Sequence, residues 1–92
     1  MGLGNILLKL QAKLSTADVV LFVEDGGITV VRGKVKASFL SDLKDIMTSR
    51  GLTKGIIFAH LSGRSPTLSF SRDIPNRVHQ QIRNVWGLHH PA

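Results

Sequence analysis

A chain of 92 residues with 42% hydrophobic content builds one domain around a modest core and excludes two independent ones. It has no cysteine, which excludes disulfides, thiolate catalysis and thiolate metal sites, so packing alone must stabilise the fold. The net charge of +6 is uneven: up to Asp45 six Lys/Arg face five acids, whereas from Ile46 onward six Lys/Arg face Asp73 alone.

At the amino end, residues 1–15 read as a short amphipathic helix. Leu3, Leu7, Leu10 and Leu14 recur at helical spacing with Ile6 beside them, while Lys9, Gln11 and Lys13 lie off that stripe. The apolar run is too short to span a bilayer and is followed at once by Lys9. The stripe is therefore expected to dock on its own domain, pair with a second copy, or touch a membrane surface through Lys9 and Lys13. Leu3, Leu7, Leu10 and Leu14 are the self-association candidates.

The remainder, residues 18–88, reads as two copies of a strand–turn–strand–helix unit, followed by a short tail at 89–92. Shifting the chain by 36 places superposes Phe22 on Phe58, Gly27 on Gly63, Ile46 on Ile82, Gly51 on Gly87 and Leu52 on Leu88. Val19 to Val23 is apolar throughout, as is Ile56 to Leu61 apart from His60, which marks strands covered on both faces. Thr29 to Lys36 alternates, with Val31 and Val35 opposed to Arg32, Lys34 and Lys36, and Thr67 to Ser71 alternates too. The two doubly apolar strands belong in the centre and the alternating ones at the edges, giving the spatial order 2-1-3-4. Asp25-Gly26 is a two-residue hairpin signal, and Lys34 and Lys36 on the second strand would protect that edge.

Ser38 is expected to cap a helix with a buried stripe of Leu40, Leu43, Ile46 and Met47, stopped by Gly51. A last helix should begin near Asp73, carry Pro75 in its first turn, bury Ile74, Val78, Ile82, Val85 and Trp86, and end at Gly87. The fold class is α+β, in the order α-ββα-ββα. It has a mostly antiparallel four-stranded sheet and two helices on one face. The opposite face of the central strands then needs a cover, from the amino-terminal helix or from a second subunit.

From about Phe22 to Trp86 the chain resembles a family of small bacterial proteins known only as a domain of unknown function. The likeness rests on Glu24-Asp25-Gly26-Gly27, on Val31-Arg32-Gly33-Lys34-Val35, and above all on Leu68 to Pro75 followed by Gln80 to Trp86. Members of that family often begin with a hydrophobic, membrane-type segment, where this chain has its Lys-containing helix. The resemblance implies no activity, ligand or catalytic residue.

No catalytic constellation is visible in the sequence, so an enzyme is not expected. The four histidines, His60, His79, His89 and His90, lack helical i, i+4 spacing and an accompanying carboxylate, so neither a metal nor another cofactor is expected. The favoured function is an interaction module that binds protein, including a second copy of itself. The alternative is a nucleic-acid-binding domain contacting phosphates through Arg32, Lys34, Lys36, Arg64, Arg72, Arg77 and Arg83. A membrane-surface adaptor is the third reading, and no small-molecule ligand is expected. The compartment consistent with the composition is the cytoplasm.

Overall fold

The computed structural model describes residues 16–25, 27–61 and 66–90. Its elements are β1 (Val19–Glu24), β2 (Gly27–Arg32), α1 (Ala37–Arg50), β3 (Lys54–His60), β4 (Thr67–Phe70) and α2 (Asn76–His89). The strands form one antiparallel sheet in the order β2-β1-β3-β4. This is the α+β architecture and strand order that the hydrophobic patterning predicts. The expected amino-terminal helix, with Leu3, Leu7, Leu10 and Leu14, lies outside the described residues.

Cross-strand partners share a sheet face, so the register sorts the core. Val19 pairs with Ala59 and Leu21 with Ile57, all facing the helices. With Val23, Leu68 and Ile74 they pack on Phe39, Leu43, Ile46 and Met47 of α1 and on Val78, Ile82 and Trp86 of α2. Val20 pairs with Phe58 and Phe22 with Ile56 on the opposite face, where they join Ala17 in a second buried cluster. Exposure there runs from 0% at Val20 and Ile56 to 9% at Phe58, so the central strands are dry on both sides. Among the described residues no helix packs on this second face. Its margins are polar: Thr29 opposes Phe22 on the β2 side, and Ser69 opposes Phe58 on the β4 side. The apolar strip is thus two strands wide, about 10 Å.

Several boundaries differ from expectation for local reasons. β2 ends at Arg32 instead of running to Lys36. The register shifts between Val20 and Leu21, leaving Val31 as an extra residue in β2, and Gly33 then takes φ 82. A Cβ at Gly33 would lie 2.6 Å from the Asp18 carbonyl oxygen, so the tight exit of the chain requires glycine. Lys34 and Lys36 follow the strand and do not guard its edge. The β1–β2 turn, by contrast, is the two-residue hairpin foreseen, with Glu24 opposite Gly27 and Asp25 at φ 33.

Ser38 is not the cap of α1. The helix starts earlier, Lys36 holds the N-cap position without a side-chain bond, and Phe39 joins the buried stripe while Leu40 is only half-buried. Gly51 does end α1, in the left-handed conformation at φ 67, with its N–H donating to the Met47 carbonyl. Pro75 is the N-cap of α2, whose first helical residue is Asn76, and Gly87 does not stop that helix, which runs on to His89. An interior helical glycine costs only about 1 kcal/mol. The turn beyond it is anchored by contacts of both terminal histidines.

Candidate functional site

α1 and α2 run antiparallel, and polar contacts hold both ends of the pair. At one end Arg50 Nε donates to Gln81 Oε1 at 3.2 Å. At the other, His89 Nε2 lies 2.6 Å from Asp42 Oδ2 and His89 Nδ1 lies 3.0 Å from Ser38 Oγ. A carboxylate only accepts, so Nε2 carries the proton, and in the neutral ring Nδ1 accepts from the Ser38 hydroxyl. His90 stacks on Trp86 with centroids 4.1 Å apart, and Phe39 meets Trp86 edge-on at 5.2 Å. Burial, the largest influence, lowers the His90 pKa from its ordinary value near 6.5.

A carboxylate, imidazole and hydroxyl in series is the order that activates a serine nucleophile. Nothing in the sequence suggested it, because Ser38 and Asp42 meet His89 only when the two helices fold together. The two clefts described below do not include Ser38. What the contact does in this fold is tie the first turns of α1 to the last turn of α2. No group of three or more metal-ligating side chains occurs among the described residues.

The cations singled out in the sequence do not form one row. Arg32 closes β2, and its Nη1 donates to the Ala17 carbonyl at 3.0 Å. Arg83 lies at the opposite edge, with its Cζ 5.3 Å from the Phe70 ring centroid and Nη2 donating to the Leu68 carbonyl at 3.5 Å. Phe70 also stacks on His79 at 4.1 Å, so that arginine and that histidine hold an edge aromatic in place. Arg72 is exposed in the turn after β4, Lys34 and Lys36 are exposed after β2, and Arg64 lies outside the described residues.

Arg77 instead shares a cleft with two cations that sequence reasoning did not select. The end of α1, the start of β3 and the start of α2 border an open cleft of 310 Å³ lined by Arg50, Thr53, Lys54, Asp73, Pro75 and Arg77 among others. Lys54 Nζ is 3.7 Å from Asp73 Oδ1, at 44% and 27% side-chain exposure. A smaller cleft of 220 Å³ lies between Pro66, Thr67, Leu68, Arg83 and Trp86.

The outer side of β2, which no other described strand pairs, is the other distinctive surface. β2 reads Gly-Ile-Thr-Val-Val-Arg and contains neither lysine nor proline. Val30 and Val31 are 37% and 42% exposed. Alternation alone could not locate this patch, because the extra residue in β2 shifts the period at Val31.

Fold and surface together define a small basic α+β domain made of two hairpin–helix halves, with β2 as an outer strand of the described sheet. The chain matches the family described as "Protein of unknown function (DUF3634)" over residues 5–92, and it belongs to that family. No curated protein and no solved structure matches it. Among the described residues no helix is long and apolar enough to cross a membrane.

Proposed function

We propose that this protein is an interaction module that self-associates through the outer edge of β2. The observation that carries the reading is the pair Val30 and Val31, exposed on an edge strand without lysine or proline. Both faces of the central strands are already buried within one chain, which leaves the edge rather than a face for a partner. A second copy docking antiparallel about a two-fold axis would extend the order to 4-3-1-2-2-1-3-4 and satisfy the outward backbone groups of both β2 strands. The bulge at Val31 limits straight pairing to Gly27–Val30, so the contact belongs to the small interfaces, below about 1,200 Å², and to reversible association.

Salt separates this function from nucleic-acid binding. Two copies of net charge +6 repel, so added salt should strengthen self-association, whereas it weakens binding to phosphates. Sedimentation of the full chain at micromolar concentration, at low and high salt, tests the proposal. Val31→Lys adds a positive charge at the exposed end of the paired segment in each copy and should yield monomer without loss of fold. A wild-type chain that stays monomeric in high salt would refute the reading.

A further inference from the structure

We propose that the cleft between α1, β3 and α2 is a binding site for a phosphate dianion, carried by a small phosphate monoester. Each of its three cations comes from a different element: Arg50 from the last turn of α1, Lys54 from the first residue of β3, and Arg77 from the first turn of α2. They lie 4 and 23 residues apart in sequence, and the sheet and antiparallel helices bring them to one wall.

Folding alone accounts for only part of this arrangement. Arg50 suits the negative end of α1, and its Nε is steadied by Gln81. Lys54 has Asp73 as a partner, although 3.7 Å is a loose pair. Arg77 is the anomaly. It sits in the first turn of α2, where the helix dipole disfavours a cation, and that turn holds no acid and no side-chain cap. Three cations and one carboxylate leave the cleft with two uncompensated positive charges, which an anion of charge two would neutralise.

Shape and chemistry narrow the class. A volume of 310 Å³ is at the lower end of small-ligand sites, room for a phosphate with a short organic group. Two guanidinium groups offer forked donors to phosphate oxygens, and Lys54 adds a point charge. A nucleic-acid backbone presents successive singly charged diesters along a groove and needs a row of cations. The described arginines do not supply such a row, since Arg32 and Arg83 lie at opposite edges of the sheet.

The test is a titration of the full chain followed by amide chemical shifts. The probes are inorganic phosphate, glycerol phosphate as the monoester, a single-stranded oligonucleotide, and chloride as the control. The expected result is saturable shifts at residues 50–54 and 75–78 with phosphate and with the monoester, the monoester binding at least as tightly. Binding should be weaker at pH 5 than at pH 7.5, because the second phosphate ionisation falls near pH 6. Arg77→Gln, at an exposed position, should weaken binding about tenfold or more without altering the spectrum elsewhere. Shifts that do not saturate, that chloride reproduces, or that survive in both Arg77→Gln and Arg50→Gln would overturn the assignment. Preferential binding of the oligonucleotide through residues outside the cleft would also overturn it.

Discussion

Replacing Phe22 by alanine separates a sheet shielded within one chain from a sheet that waits for a partner. Phe22 is 4% exposed, pairs with Ile56 on one side and Thr29 on the other, and points away from both helices. If its face were dry, deletion of the ring would remove the transfer free energy of a buried aromatic and leave a cavity, together about 3–5 kcal/mol. In a domain of this size that lowers the thermal midpoint by at least about 12 °C. Were the same face wet, the substitution would cost no more than about 0.5 kcal/mol, like other surface changes. Urea unfolding of Val31→Lys, in which edge pairing is blocked, and of the same chain carrying Phe22→Ala as well, over a wide range of protein concentration, supplies both readouts. Shielding by the chain itself gives a large loss of stability that does not vary with concentration. A midpoint that climbs with concentration shows that a second copy does the shielding. A near-neutral Phe22→Ala, or a concentration-dependent midpoint, would refute the argument that leaves the β2 edge as the contact surface.

Two further predictions rest on single positions. Gly33→Ala forces a side chain into φ 82 with its Cβ 2.6 Å from the Asp18 oxygen and 2.9 Å from Val19 Cγ2, and should cost about 2–4 kcal/mol in urea unfolding; a neutral substitution would show that the chain leaves β2 by another path. For His90 the sign follows from its lowered pKa: the unfolded chain takes up the proton first, so stability is full above about pH 6.5 and declines as pH falls toward the folded-state value. His90→Gln should flatten this decline between pH 7 and pH 5, a slope comparison that discounts the lost Trp86 stacking, while Lys36 and His89, the neighbours that also lower the His90 pKa, stay in place.

The strand order was legible because burial on two faces and burial on one face leave different sequence periods. Val19–Val23 and Ile56–Ala59 carry no alternation, and they are the central pair. The 36-residue repeat also survives in part: Phe22 and Phe58 share the second face, and Ile46 and Ile82 share the core under the helices. It fails at the helix ends, where Gly51 terminates α1 but Gly87 lies inside α2, and where Leu52 packs on the core while Leu88 is 77% exposed. Glycine stops a helix only when nothing beyond it is worth extending for. Beyond Gly87 stand His90, stacked on Trp86 of the same helix, and His89 on Asp42, a contact that depends on a residue 47 places away in sequence. The candidate sites were less visible for the same reason. Val31 leaves the alternation through a bulge, and Arg50, Lys54 and Arg77 converge only once Gly51 has turned the chain from α1 into β3.

The polar margins of the second sheet face tie these features together. Thr29 and Arg32 border the apolar strip on the β2 side, and Ser69 and Thr67 border it on the β4 side. A strip about 10 Å across is matched by a cover the width of one helix, and a whole second sheet would press apolar surface onto those polar margins. Association face to face is thereby penalised on this side, while α1 and α2 occupy the other. Strand addition at β2 escapes both obstacles, because the groups it buries are backbone donors and acceptors that a second strand satisfies. The basic cleft, at the sheet end where Glu24 pairs with Lys54, stays open in such a pairing, since its walls are helix ends and the start of β3 rather than the β2 edge.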